Sequence, residues 1–336
     1  MSKFSLDILK DKVFPFAEAR DPDILLGAAF GEDVALVRVG GDILASHVDP
    51  IVGAVEGIGW LAVHVACNDI AASGVRPRWA LLLVMVPSKQ DEELLEEIMG
   101  DADRAARSIG VSIIGGHTGY SSGLARPLVA VTALGTAGGR EPVRTSGACV
   151  GDRVVVTKGV ALEGTAILAA DFAEIAAGLG LGDDDIAEAR ALMGDVSVLR
   201  EAMVLAESGA TAMHDVTRGG LLETLLEIAQ LSGVGMTIDA SRLPVPDVVQ
   251  RFARAFRFDP LRMISSGTLA ATIPAGRIEE VRLAMERAGG GFAEVGEVTA
   301  GAGVRILGEG EPVDYREVRP EEDELARLWA LHRPSG

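Results

Sequence analysis

Two strand-forming runs, 33–39 (DVALVRV) and 42–49 (DILASHVD), are separated only by Gly40 and Gly41. A two-residue glycine turn joins antiparallel strands and leaves no chain for the crossover that parallel neighbours require. Helical periodicity nonetheless alternates with such runs. Apolar residues recur at helical spacing through 57–73 (GIGWLAVHVACNDIAAS) and through the charged stretch 89–110. Between them the continuous apolar run 79–86 (WALLLVMV), closed by Pro87, reads as a strand buried on both faces. Mixed sheets with helices packed against them, an α+β design, satisfy both observations better than a doubly wound parallel fold.

The second half repeats the alternation. Strands are expected at 153–159, just before Asp215, and at 235–240, 268–274 and 304–310. Helices are expected from Gly164, over 195–207 and 221–230, and at 277–288 and 321–332. A short amphipathic helix is expected within 1–20. The turn-rich segment 138–152 (GGREPVRTSGACVGD) marks a boundary between two domains, 1–150 and 151–336.

Composition narrows the function. The formal charge of −18 repels phosphate backbones and anionic bilayers, so neither nucleic acid nor membrane is an expected partner. Cys67 and Cys149 form no CxxC or Cys/His cluster, which argues against structural zinc or a disulfide framework. The first sixteen residues lack a signal-peptide core, and no apolar twenty-mer occurs. A cytoplasmic protein is the expectation.

Four aspartates stand near the ends of elements. Asp33 opens a strand, Asp49 ends one, Asp69 lies in the unit CNDIAASG and Asp215 follows the strand of MHDVTRGG. Converging carboxylates are the hard oxygen ligands that magnesium takes alongside phosphates. Each alone is equally an ordinary turn or cap residue. Asp69 and Asn68 are harder to assign to capping, because they fall inside an otherwise apolar helix where a buried charge is costly.

Three further segments suit phosphate. In IIGGHTGYSSG a strand is read as breaking into Gly115-Gly116, whose backbone N–H groups can approach an anion, with His117 and Thr118 beside them. In HDVTRGGL, Asp215 or Thr217 can cap the following helix while Gly219 and Gly220 leave its start open. In TKGVALEGTA, Lys158 and Glu163 flank a short loop, where Lys158 either neutralises a phosphate or is solvated. None of these is a Walker loop, since the G-K-[ST] ending is missing.

In order along the chain, GEDVALV, SHVDP, NDIAASGVRPRW, GGHT and HDVTRGGL resemble the motif series of the ATP-binding superfamily of aminoimidazole ribonucleotide synthetase, the PurM-like family. Through HDVTRGGL and ISSGTLAATIP the chain is most similar to its HypE branch of hydrogenase-maturation proteins. The resemblance implies an N-terminal sheet that pairs with that of a second subunit into a barrel, and a C-terminal α/β sandwich domain. It implies ATP at the homodimer interface, magnesium on Asp33, Asp49, Asp69 and Asp215, and the GGHT segment around the phosphates. Asn68, Lys158, Thr217, Gly219 and Gly220 join the nucleotide site on this reading, with Asp69, Asp215 and His117 catalytic.

The implied chemistry is phosphorylation of an oxygen on a carboxamide, carbonyl or hydroxyl, carried by a small molecule or a maturation partner. HypE proteins end in a tail cysteine that carries the carbamoyl group, whereas this chain ends LARLWALHRPSG. Selenophosphate synthetases need a reactive N-terminal cysteine that is also missing. A small-molecule kinase resembling thiamine-monophosphate kinase, and a nucleotide-binding scaffold without turnover, are the alternatives.

Overall fold

The computed structural model describes Phe4 to His332, apart from residues 5, 18, 53–55, 318, 320 and 321. The chain opens with α1 (Leu6–Lys12), β1 (Ile24–Leu26), β2 (Ala35–Val39), β3 (Asp42–Ile51) and α2 (Ile58–Ala72). It continues through β4 (Pro77–Val86), α3 (Glu92–Ile109), β5 (Ser112–Tyr120) and β6 (Leu128–Thr136). Their strands form one sheet in the order β1-β2-β3-β6-β4-β5, antiparallel except for β4 and β5, which α3 connects.

The remaining chain runs β7 (Arg153–Thr157), α4 (Leu162–Asp171), α5 (Ala173–Gly178), α6 (Asp183–Ala191), α7 (Leu199–Glu207), β8 (Ala212–Asp215) and α8 (Gly220–Ser232). It then passes through β9 (Gly235–Asp239), α9 (Asp247–Phe256), β10 (Leu269–Ile273), α10 (Ile278–Arg287), β11 (Phe292–Thr299), β12 (Gly303–Leu307), β13 (Val313–Tyr315) and α11 (Glu324–Leu331). The second sheet has the order β13-β12-β9-β11-β7-β10-β8, with only β9 and β12 parallel. This is the expected α+β architecture of two mixed sheets. Residue 321, the expected start of the last helix, lies outside the described residues. No described helix is long and apolar enough to cross a membrane.

Helix α2 explains its own composition. Ile58, Ala62, Val63, Ala66 and Ile70 pack into the core of the first sheet, Leu61 and Val65 join a core built on α4 and α9, and Ala71 and Ala72 join one built on α7 and β10. A helix enclosed on every side needs no polar face. A side chain at Gly59 would fall 2.1 Å from the carbonyl oxygen of Ile98, so glycine there permits the close crossing of α2 and α3.

Three expectations need correction. Strand β4 is not buried on both faces: Ala80, Leu82, Val84 and Val86 are buried against the helices, while Leu81 and Leu83 are 38% and 37% exposed. Apolar residues on both faces had hidden the twofold period. Strand β3 does not end at Asp49 but continues to Ile51. The helix expected from residue 195 begins at Leu199: Asp195 closes a short 3-10 turn (Leu192–Asp195), and the compact segment after it is held by hydrogen bonds from two sides before α7 starts.

Candidate functional site

The four aspartates come from four elements: the turn before β2, strand β3, helix α2 and the last residue of β8. In β3 the twofold period places His47 and Asp49 on the helix-facing side, in register with buried Ala133 and Val131 of β6. His47 Nε2 thereby lies 3.5 Å from Asp69 Oδ2. Burial, and then the nearby charges of Asp215, Asp33 and Asp49, hold the Asp69 carboxyl well above the usual carboxylate range, against the pull of His214. All four predicted aspartates therefore share one electrostatic site.

His214 is the cation within it. Its Nδ1 is 3.1 Å from Asp33 Oδ1 and 3.8 Å from Asp215 Oδ1, and its Nε2 is 2.9 Å from Glu227 Oε2. Burial lowers the imidazole pKa, but Asp33, Asp215 and Glu227 together outweigh it and raise it well above the ordinary histidine value. Asp33, His214 and Asp215 each offer a ligand atom within 4.8 Å of the others. Asp215 is fully buried, and neither of its carboxylate oxygens takes a hydrogen bond. Buried carboxylate oxygens left in this state fit a hard divalent cation. His214, already committed to Glu227, fits a charge-balancing role better than ligation.

The glycine pair belongs elsewhere. Strand β5 does not break at Gly115 but runs through Gly116, His117 and Thr118 to Tyr120, so these residues form no phosphate-cradling loop. A bulge opposite Ala80 and Leu81 and φ values of +154° and +152° at the two glycines accommodate the irregular pairing. A side chain on Gly116 would meet the Leu82 carbonyl oxygen at 1.9 Å. Gly116 lies in one row with Leu82, Val131 and Asp49, three strand spacings or roughly 14 Å from that aspartate. His117 is in register with Leu83 and points to the opposite face of the sheet from Asp49. Within this chain His117 is not brought to the carboxylates, and it makes no hydrogen bond or ion pair among the described residues.

Asn68 and Lys158 also depart from expectation. Asn68 Nδ2 donates to the Val196 carbonyl at 2.7 Å, and its Oδ1 accepts the Val198 N–H at 2.9 Å. Both amide atoms thus hydrogen-bond the strap 195–198, which fixes α2 next to Asp69. Trp60 Nε1 ties the same helix to the Met193 carbonyl at 3.0 Å. Lys158 grips the strap from the other side: Nζ donates to the carbonyls of Asp195 (2.9 Å) and Ser197 and lies 3.7 Å from Glu201 Oε2. It lines a cavity of its own.

At the start of α8, Gly219 and Gly220 adopt φ of +79° and +68°. The turn is not open to phosphate. Asp323 Oδ2 accepts the Gly219 N–H at 3.2 Å, and a side chain on Gly219 would fall 2.0 Å from the Glu223 carboxylate. Two carboxylates already occupy the positive end of that helix. Thr217 closes the turn by accepting the Gly220 N–H at its carbonyl. Glu163, by contrast, faces the site. Burial pushes its carboxyl up to about 7, with Asp49 adding to the rise and Ser266 and Arg218 opposing it.

Sequence reasoning missed His214, His47 and Glu227. The signals were present: His214 adjoins Asp215, and His47 is two residues from Asp49 in a strand, hence on the same face.

Comparison with known proteins decides the family. The family model "AIR synthase related protein, N-terminal domain" matches residues 31–137, and "AIR synthase related protein, C-terminal domain" matches residues 150–309. The chain belongs to the AIR synthase-related family. A thiamine-monophosphate kinase of Halobacterium salinarum is 33% identical over 75% of this chain and 80% of its own length. A carbamoyl dehydratase HypE of Rhodobacter capsulatus is 32% identical over 72% of this chain and 70% of its own. The crystal structure of a hydrogenase maturation protein HypE in complex with ATP superposes with a TM-score of 0.71 at 23% identity, covering 96% of each chain. The PurM-like two-domain fold is therefore that of this protein.

Proposed function

We propose that the protein is an ATP- and magnesium-dependent enzyme that phosphorylates an oxygen of a small substrate, with the nucleotide bound at the interface of a homodimer. The observation that carries this reading is the convergence of Asp33, Asp49, Asp69 and Asp215, with the oxygens of Asp215 buried and without hydrogen bonds. These four would hold the magnesium, which would neutralise phosphate charge. The chain's own residues do the rest: His214 offsets Asp33, Glu227 fixes His214, and Asn68 holds α2 so that Asp69 keeps its place. Phosphoryl transfer needs chiefly such positioning and charge balance.

The relatives support the same reading, since one is named a kinase, one a carbamoyl dehydratase, and a HypE has been solved with ATP. The dimer is supported by the outer face of the first sheet, where Val48, Leu81 and Leu83 are exposed near the edge strand β5. In such a dimer the segment Gly115–Thr118 would meet the partner's site rather than its own. The division near residue 150 assigns nucleotide binding and pairing to the first domain, with Asp215 contributed by the second.

The similarity to the kinase favours a second reading in which the product is a stable phosphoester. ADP and inorganic phosphate measured together separate the two, over a panel of carboxamides, carboxylates and alcohols. Equal release marks activation of a leaving group, and ADP without phosphate marks a kinase. In either case Asp69→Asn is expected to abolish turnover while leaving the fold and the dimer intact, and full activity in that variant overturns the assignment.

A further inference from the structure

Beyond the carboxylate site, a cavity of about 530 Å³ opens between the end of β7, the start of α7 and the turn joining α10 to β11. Its volume is within the range of small-molecule sites. Its ionisable lining is two cations, Lys158 and Arg200, and two acids, Asp195 and Glu201. Glu201 is 2% exposed, and its Oε2 takes no hydrogen bond, with Lys158 Nζ 3.7 Å away. A buried carboxylate oxygen left in this state lacks a donor that a ligand can bring. Lys158 is held at the cavity's edge in a left-handed conformation, φ +52°, which a lysine adopts at a cost.

The rim opposite is Gly289-Gly290-Gly291, with open space beside Gly289 and Gly291 and the side chains of Met285 and Glu201 close to Gly290. Arg200 is exposed at the mouth and donates to the Gly289 carbonyl at 3.2 Å, leaving the rest of its guanidinium available. Pro244, Phe292 and Ala293 supply an apolar wall. A bare phosphate would face Asp195 and Glu201, and a metal ion would face Lys158 and Arg200. A molecule carrying both signs suits the lining.

We propose that this cavity is a second ligand site, taking a small amphoteric molecule of the free amino-acid class. Its amino group meets Glu201, its carboxylate meets Arg200, and its side chain lies along Phe292. The site is separate from the carboxylate cluster, from which the strap 195–198 divides it.

Isothermal titration of the full-length protein with each of the twenty L-amino acids tests this. At least one is expected to bind saturably. Arg200→Ala, at an exposed position, should weaken that binding by about tenfold or more, the loss of one charge-assisted contact. Glu201→Gln, which conserves volume, should do the same. Magnesium-ATP should bind the Arg200→Ala protein as it binds the parent. The proposal is overturned if no amino acid binds, if binding survives in both variants, or if magnesium-ATP displaces the amino acid.

Discussion

His214 Nδ1 lies 3.1 Å from Asp33 Oδ1, so a cation at the end of the second sheet neutralises a carboxylate that precedes β2 of the first. The contact joins the two halves of the chain at the point where the candidate ligands converge. Replacing it with His214→Gln leaves buried Asp33, Asp215 and Glu227 uncompensated. The expected loss of stability is about 3–5 kcal/mol without metal, and magnesium should restore part of it. Thermal unfolding with and without magnesium checks both, and an unchanged midpoint would refute the role.

The strap 195–198 is held by Asn68 on one side and Lys158 on the other. Asn68→Ala removes two hydrogen bonds and leaves the Val196 carbonyl and Val198 N–H buried without partners. Stability should fall by about 1–3 kcal/mol. ATP turnover should fall through kcat, because Asp69 is adjacent on α2 and loses its fixed position. Retention of full kcat in a folded variant would show that the strap does not position the site.

His64 lies one turn before Asn68, buried, with neither ring nitrogen hydrogen-bonded and its ring edge-on to Trp60 at 4.5 Å. Burial, with a contribution from Lys158, lowers its pKa to about 4. The folded state therefore prefers neutral imidazole. Its contribution to stability is complete above the unfolded value of 6.5 and is lost as pH falls from there toward 4. Between pH 7.5 and pH 5 the loss from this group is about 2 kcal/mol. Urea unfolding at the two pH values, compared with His64→Leu, isolates it. An equal pH dependence in the variant would contradict the assignment.

Gly116 has φ +152°, and a side chain there would overlap the Leu82 carbonyl. Gly116→Ala should displace β5 from β4, at a cost of more than about 1 kcal/mol. If this edge forms the subunit interface, light scattering should find the variant mainly monomeric at concentrations where the parent is a dimer. A fully dimeric variant would place the interface elsewhere.

Much of this was legible in the sequence. The alternation of runs, the short Gly40-Gly41 turn and the all-round apolar helix around Asp69 gave the α+β class, and the four aspartates were identified before any geometry. Other features were hidden for physical reasons. Strand β11, which carries Glu294, Gly296 and Glu297, is not among the strands expected from the sequence. Yet Gly296 is needed because a side chain there would come within 2.1 Å of the Thr237 carbonyl of β9. The glycines of GGHT read as a turn because bulged pairing and a loop both demand glycine, and only the partner strand distinguishes them. Helix α9 was visible in the spacing of Val248, Val249, Phe252 and Phe256, all buried, and went unread. Lys158 and Asn68 were placed with the nucleotide by their neighbours in sequence, whereas their hydrogen bonds go to a strap almost forty and 130 residues away.

Isothermal titration of the protein with ATP, in the presence and absence of magnesium, tests the central claim most directly. The carboxylate cluster predicts saturable binding that requires magnesium, since without the cation the phosphates would meet Asp33, Asp49, Asp69 and Asp215. Binding of equal strength without magnesium, or no binding in its presence, would contradict the claim.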